Sequence, residues 1–367
     1  MGDNKKFDLD EILTFFKTIN PNKSQSTYTT MKYNLMRISK MAKIDFTEIN
    51  ELILQPKYLE CAMNKYSVNT QIQSILGIEL WIKYKLAKLS IGSKSKIEKY
   101  NALKLKWDGI LKSLCNEKNE TINKNEMTET EKNNWIDYDD LLKKWVVLIN
   151  NKLEDNTPKN VLKLFTEWRD ITMASLFILI PPTRIGNYET MRIRYMKTQD
   201  AKSLKQDRNY LMIDERPDVE HKYTLCFNRY KTAKFVGQVC EHITQKKMIQ
   251  VLDKYIELRL VILPINKYKY QETDTLFING DTLSQLSQSY ITETLKKTTK
   301  KYIDKKLSCD IFRKIYLTWF LSDNTKSIND KQKLAKFVGQ TYQPSMMEKY
   351  KKITENKKNE PILVVFD

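Results

Sequence analysis

Residues 116–134 (NEKNETINKNEMTETEKNN) are polar, repetitive and almost without apolar anchors, so no single hydrophobic core can run through them. A segment of that composition buries too little surface to offset its ordering entropy and reads as an exposed linker between two separately packed parts. The expected division is 1–115, a linker over 116–134, and 135–367 with a tail from 351. With 367 residues, 41% of them hydrophobic, both parts can hold ordinary cores.

The first part carries helical periodicity throughout. Ile12, Leu13, Phe15 and Phe16 share one face until Pro21 interrupts. Ser26 is placed to cap a helix over 28–42, whose apolar stripe is broken by Lys32, Arg37 and Lys40. Pro56 opens a short segment, Asn69 is expected to cap a long one carrying Ile72, Ile75, Ile78 and Trp81, and Ser93 precedes another through Leu114. With almost no strand signal, this part is expected to be a helical bundle with lysines along a wet side.

The second part resumes helical spacing over 135–146 and 161–180, and Pro181-Pro182 ends the second run. Alternating stretches at 210–213 and 223–227 predict strands, and 230–239 a turn with a return strand. Helices are predicted over 246–260, 289–302, 311–322 and 331–337. The fold class is therefore mainly α with a small antiparallel β-sheet.

Lys+Arg 63 against Asp+Glu 45 leaves a formal charge of +18, which favours a polyanionic partner, nucleic acid first. A lysine-heavy protein from an AT-rich genome is the other source of such a balance. The cysteines (Cys61, Cys115, Cys226, Cys240, Cys309) are odd in number and lack any CxxC pair, so they read as buried thiols of an intracellular protein, cytosolic or nuclear. With His221 and His242 the only imidazoles, a His-based metal site or a Ser-His-Asp triad is set aside. No run approaches the roughly 20 apolar residues of a membrane span, and Met1-Gly2 lacks the Ser or Thr usual in a myristoylation signal.

Four separated patches remain. They are Pro-Pro-Thr-Arg184 after an apolar helix, Tyr-Lys231-Thr at a turn between strands, Asp310-Ile-Phe-Arg313 at a helix start, and Val-Gly339-Gln340 with Tyr350 ten residues on in a basic tail. In that order they resemble the catalytic domain of the tyrosine recombinase (phage-integrase-type) family, and the first part is similar to that family's helical, SAM-like core-binding domain. The resemblance spans nearly the whole chain. It implies an α+β catalytic domain, a DNA clamp over 1–115, double-stranded DNA as partner, and a homo-tetramer on paired sites. It also implies a source in a virus or mobile element, with action in the host cytoplasm or nucleus. Arg184-Ile-Gly-Asn187 fits the family's Arg-x-x-Glu/Asp box except at Asn187. Asp310 and Gln340 stand where the family has His and His or Trp.

The residue types suit the implied chemistry. Phosphodiester attack builds negative charge on the non-bridging oxygens, which the guanidinium forks of Arg184 and Arg313 can bind. Tyr350 would be the nucleophile, giving a 3′-phosphotyrosyl bond and a 5′-hydroxyl, and Lys231 on a mobile hairpin the general acid. Asp310 is expected to orient Arg313, and Gln340 to donate to a phosphate oxygen. Tyr342 is too close to Gln340 to match the family spacing. No cofactor, metal or ATP is called for. The apolar end 361–366 is either a last strand on its own sheet or, as the family implies, one exchanged with a neighbouring protomer. The alternatives are a type IB topoisomerase and a non-catalytic DNA-binding protein of the same fold.

Overall fold

The computed structural model describes residues 8–23, 25–45, 48–89, 93–123, 126–196, 205, 207–263, 275–339 and 352. The chain divides into two units, Met1–Lys124 and Asn125–Asp367.

In the first unit the helix starts are chemically marked. α1 (Leu9–Ile19) begins where the Asp8 carboxylate accepts from the Glu11 N–H at 3.0 Å, satisfying one of the donors a helix start leaves over. α2 (Gln25–Ala42) starts before Ser26, which lies inside the helix rather than capping it. α3 (Ile49–Ile53) and α4 (Pro56–Met63) follow, the latter opening on a proline, where a missing N–H is no loss. α5 (Val68–Ala87) is capped by Ser67, whose Oγ accepts from the Thr70 N–H, and Asn69 falls in its first turn. α6 (Lys94–Asn123) runs on beyond Leu114 through polar residues expected in the linker. No glycine or proline interrupts them, and lysine and glutamate are good helix formers in water.

The core of this unit centres on α5. Ile75, Ile78, Trp81 and Ile82 are buried with Leu35 and Ile38 of α2 and Trp107 of α6. The Trp81 indole N–H donates to Asn50 Oδ1 at 2.7 Å, so the buried ring keeps a partner for its one polar atom. α2 and α5 approach closely at Gly77, where a Cβ would stand 3.3 Å from Asn34 and from the Leu35 backbone.

The second unit opens with α7 (Glu129–Asn134). These residues, expected to be exposed linker, are helical because Thr128 and Glu131 form a reciprocal capping box, and Glu131 is 5% exposed. α8 (Tyr138–Glu154) packs on α9 (Val161–Ile178) through two polar ties: Trp145 Nε1 to Ser175 Oγ at 2.9 Å and Tyr138 OH to the Ile178 carbonyl at 2.8 Å. From Ile171 to Ile178 every residue of α9 is buried. α10 (Gly186–Glu189) then leads into β1 (Arg192–Tyr195), β2 (Tyr210–Ile213) and β3 (Tyr223–Phe227), and α11 (Ala233–Val236) separates β3 from β4 (Val239–His242). α12 (Lys246–Ile262), α13 (Gln288–Ile303) and α14 (Cys309–Ser322) surround α9, and α15 (Ile328–Phe337) packs beside β4.

The fold is mainly α with a small four-stranded sheet in the order β1-β2-β3-β4. The sheet is mixed, not antiparallel throughout. β2–β3 and β3–β4 are antiparallel, but β1 pairs with β2 in parallel, Arg192 opposite Tyr210. A parallel pair needs a long connection, which residues 196–209 supply. The expectation of free, buried cysteines is also corrected. Cys226 and Cys240 are direct cross-strand partners on β3 and β4 and are disulfide-bonded, Cys61 is exposed, and Cys115 and Cys309 are half-buried. Strand register brings the bonded pair together, which their spacing in sequence does not reveal. Among the described residues no helix is long and apolar enough to cross a membrane. The tail 361–367 lies outside the described residues.

Candidate active site

α9 ends because Pro181 and Pro182 have no N–H with which to extend its hydrogen-bond ladder. The chain leaves it through buried Thr183 and half-buried Arg184, and the Asn187 N–H closes the turn onto the Arg184 carbonyl at 2.9 Å. Far along the sequence α15 stops at Gly339, which adopts φ +68 just past the helix end. Glycine suits that left-handed position, and a Cβ would stand 3.0 Å from the Tyr230 ring and 3.6 Å from Arg184 Nη1.

The Gly339 carbonyl is where these segments meet. It accepts from Arg184 Nη1 at 3.1 Å and from Thr232 Oγ1, the residue after Lys231, across separations of 155 and 107 residues. Lys231 itself is exposed in the turn between β3 and α11. Its turn is held at the other end by Asn209. The Asn209 amide accepts from the backbone N–H groups of Asn228 and Arg229 at 2.9 and 2.8 Å and donates to the carbonyls of Arg229 and Asn187 at 2.9 and 3.0 Å.

α14 delivers the third patch. Ser308 caps it, Asp310 is exposed in its first turn, and Arg313, one turn on, is 5% exposed. Cys309 ties this helix start to the Arg184 turn by donating to the Thr183 carbonyl at 3.3 Å. Burial pushes the Cys309 thiol up to about 11, with Arg313 and Arg184 pulling it down and Asp310 pushing it further up. The Cys309 contact with Thr183, the residue before Arg184, sets the start of α14, with Asp310 and Arg313, beside the Arg184 turn. The turns holding Arg184 and Lys231 and the start of α14 are thus brought together. Gln340 and Tyr350 lie outside the described residues.

Two residues past Tyr350, Lys352 is anchored. Its N–H donates to Thr318 Oγ1 of α14 at 2.9 Å and its ammonium to the Glu126 carbonyl at 2.8 Å. Burial lowers the Lys352 pKa, opposed by the charge of nearby Glu131. Glu131 would be raised by its own burial, but hydrogen bonds from Lys314 and the Thr128 backbone, with the charge of Lys352, hold it below the usual carboxylate range.

A separate cavity of ≈ 660 Å³ lies between β4, the end of α9 and α15, and Arg184, Lys231, Asp310 and Arg313 are not among its lining. The candidate site is instead assembled from turns and a helix start. Sequence reasoning missed Thr232, Cys309 and Asn209. Thr232 adjoins Lys231 in the quoted motif, but nothing in the sequence names its acceptor. Asn209 carries only the turn signal of an asparagine before a strand.

No family model matches the chain, and no curated protein sequence matches it. Among solved structures, the crystal structure of XerA recombinase aligns with 95% of this chain and 93% of its own, at 14% identity and a TM-score of 0.38. That likeness is too remote to assign an activity.

Proposed function

We propose that the chain cleaves and rejoins double-stranded DNA through a 3′-phosphotyrosyl intermediate, as a site-specific recombinase or integrase working as a homo-tetramer on paired sites. The observation that carries this reading is the convergence on the Gly339 carbonyl of Arg184 and of the turn bearing Lys231, with the start of α14 and its Arg313 tied alongside. A guanidinium on the Arg184 turn, another on the adjoining helix α14 and an ammonium on the Lys231 turn suit a phosphodiester whose charge grows as it is attacked. The formal charge of +18 favours the same partner.

In the proposed reaction the Tyr350 phenol gives its proton to water and its oxygen bonds to phosphorus, while the bond from phosphorus to the 5′-oxygen breaks. Lys231 protonates that departing oxygen, giving a 5′-hydroxyl. Arg184 and Arg313 hold the non-bridging oxygens throughout. Rejoining is the reverse, with a 5′-hydroxyl attacking and tyrosine leaving. The phosphodiester energy is kept in the intermediate, so no ATP is needed.

Denaturing capture of protein-linked DNA from cells expressing the chain, followed by sequencing of the attached ends, tests this. Ends recovered from wild type and lost with Tyr350→Phe are expected, and they identify the target site. The exposed carboxylate of Asp310 favours a second reading, a DNA-binding protein without catalysis, because an anion there opposes a phosphate. Empty capture from both proteins, with DNA binding that Arg184→Ala abolishes, would select it.

A further inference from the structure

Lys231 is exposed, yet the chain on both sides of it is held, by backbone N–H groups before it and by the Thr232 hydroxyl after it. After it, Thr232 is held by the Gly339 carbonyl. Before it, Asn228 and Arg229 are held by the Asn209 side chain, which is 1% exposed. A primary amide offers two N–H donors and a carbonyl oxygen with two lone pairs, and Asn209 uses all of them. One of its donors goes to the Asn187 carbonyl, in the short helix that closes the Arg184 turn. Asn209 is thus a bridge between the turn holding Arg184 and the turn holding Lys231, on the side opposite Gly339 in the chain.

We propose that Asn209 is a positioning residue that locks the Lys231 turn to the Arg184 turn and so fixes where the Lys231 ammonium is delivered. This rests on the reading of Lys231 as the acid that protonates the leaving oxygen. A lysine side chain is long and flexible, so the anchored backbone sets what it can reach. Other side chains fill the role poorly. Aspartate keeps both acceptors but faces two carbonyls with no donor, alanine removes all four bonds, and leucine would strand buried backbone groups without partners.

The test uses the full chain with duplexes carrying the captured target site, made with either the natural 5′-oxygen or a bridging sulfur at the scissile phosphate. A thiolate leaves without being protonated, so the sulfur duplex does not need the acid. With Asn209→Ala, cleavage of the oxygen duplex is expected to slow by about 100-fold, within the range of general-acid contributions, while the sulfur duplex stays within about threefold of wild type. Lys231→Ala should give the same pattern, and Asn209→Asp an intermediate one. Equal slowing on both duplexes would mean that Asn209 merely supports the fold and would overturn the proposal, as would no slowing at all. Amide hydrogen exchange without DNA gives a readout that does not depend on chemistry: residues 228–232 should exchange faster in Asn209→Ala, and unchanged exchange overturns the tether. If wild type formed no covalent adduct with either duplex, the recombinase reading would fail, and the exchange result would still judge the tether.

Discussion

The α5 core of the first unit is buried, whereas the turns gathered at Gly339 in the second are partly open to solvent, and different forces hold the two. Around α5, Ile75, Ile78, Trp81 and Ile82 meet α2 and α6 through apolar contact, which is non-directional and shared over many atoms. Around Gly339 the arrangement depends on a few directional hydrogen bonds between residues far apart in sequence. A core of the first kind tolerates changes that keep its volume, whereas a site of the second kind can lose its geometry when one acceptor moves.

The largest effect should come from the packed region. Trp107→Ala removes a 0% exposed ring and should cost about 3–5 kcal/mol, read as a lowered denaturation midpoint and lost amide protection in α5 and α6. A loss under about 1 kcal/mol would show that the α5 core is looser than its burial implies. Gly339→Ala is smaller in free energy but larger in consequence. The φ of +68 and the 3.0 Å approach to Tyr230 should cost about 1–3 kcal/mol, and covalent adduct formation should fall much further than stability because the shared carbonyl shifts. Stability and adduct formation falling in proportion would erase the distinction between the two regions.

An ion-pair cluster in the second unit gives the smallest effect. Burial alone would raise Glu167, but hydrogen bonds from Lys152 and Tyr302 and the charges of Lys152 and Lys159 outweigh it and bring the carboxyl to about 2. Its folded value is below the unfolded one, so the stabilisation is complete above the ordinary glutamate range near pH 4.5 and is lost as pH falls toward 2. The carboxylate is 17% exposed, and with solvent screening discounted the contribution is about 1–2 kcal/mol. Denaturation midpoints measured from pH 7 to 2.5 should fall on the acid side in wild type and fall less in Glu167→Gln. Parallel curves would remove Glu167 from the account.

Legibility differed between these regions for the same physical reason. Helices α12 to α15 begin and end within a few residues of where apolar spacing puts them, because an amphipathic helix writes its period into contiguous sequence. Cap choice was less legible. Ser67 and Asn69 are both good caps, and which one is used depends on where the chain enters the helix. The parallel pairing of β1 and the bond between Cys226 and Cys240 were not legible, since both depend on strand register.

By itself the sequence determined the helical character of both units, the stop after α9 at Pro181-Pro182, and the residue types available to bind a phosphate. These rest on local periodicity, backbone sterics and side-chain charge, which each short stretch carries within itself. Only the tertiary structure decided that Arg184 and Thr232 share the Gly339 carbonyl, that Cys309 docks on Thr183, and that Asn209 spans the Arg184 and Lys231 turns. Each of those contacts is a backbone group meeting a side chain from a distant segment. A carbonyl or N–H is the same in every residue, so the sequence carries no mark of which one will be met.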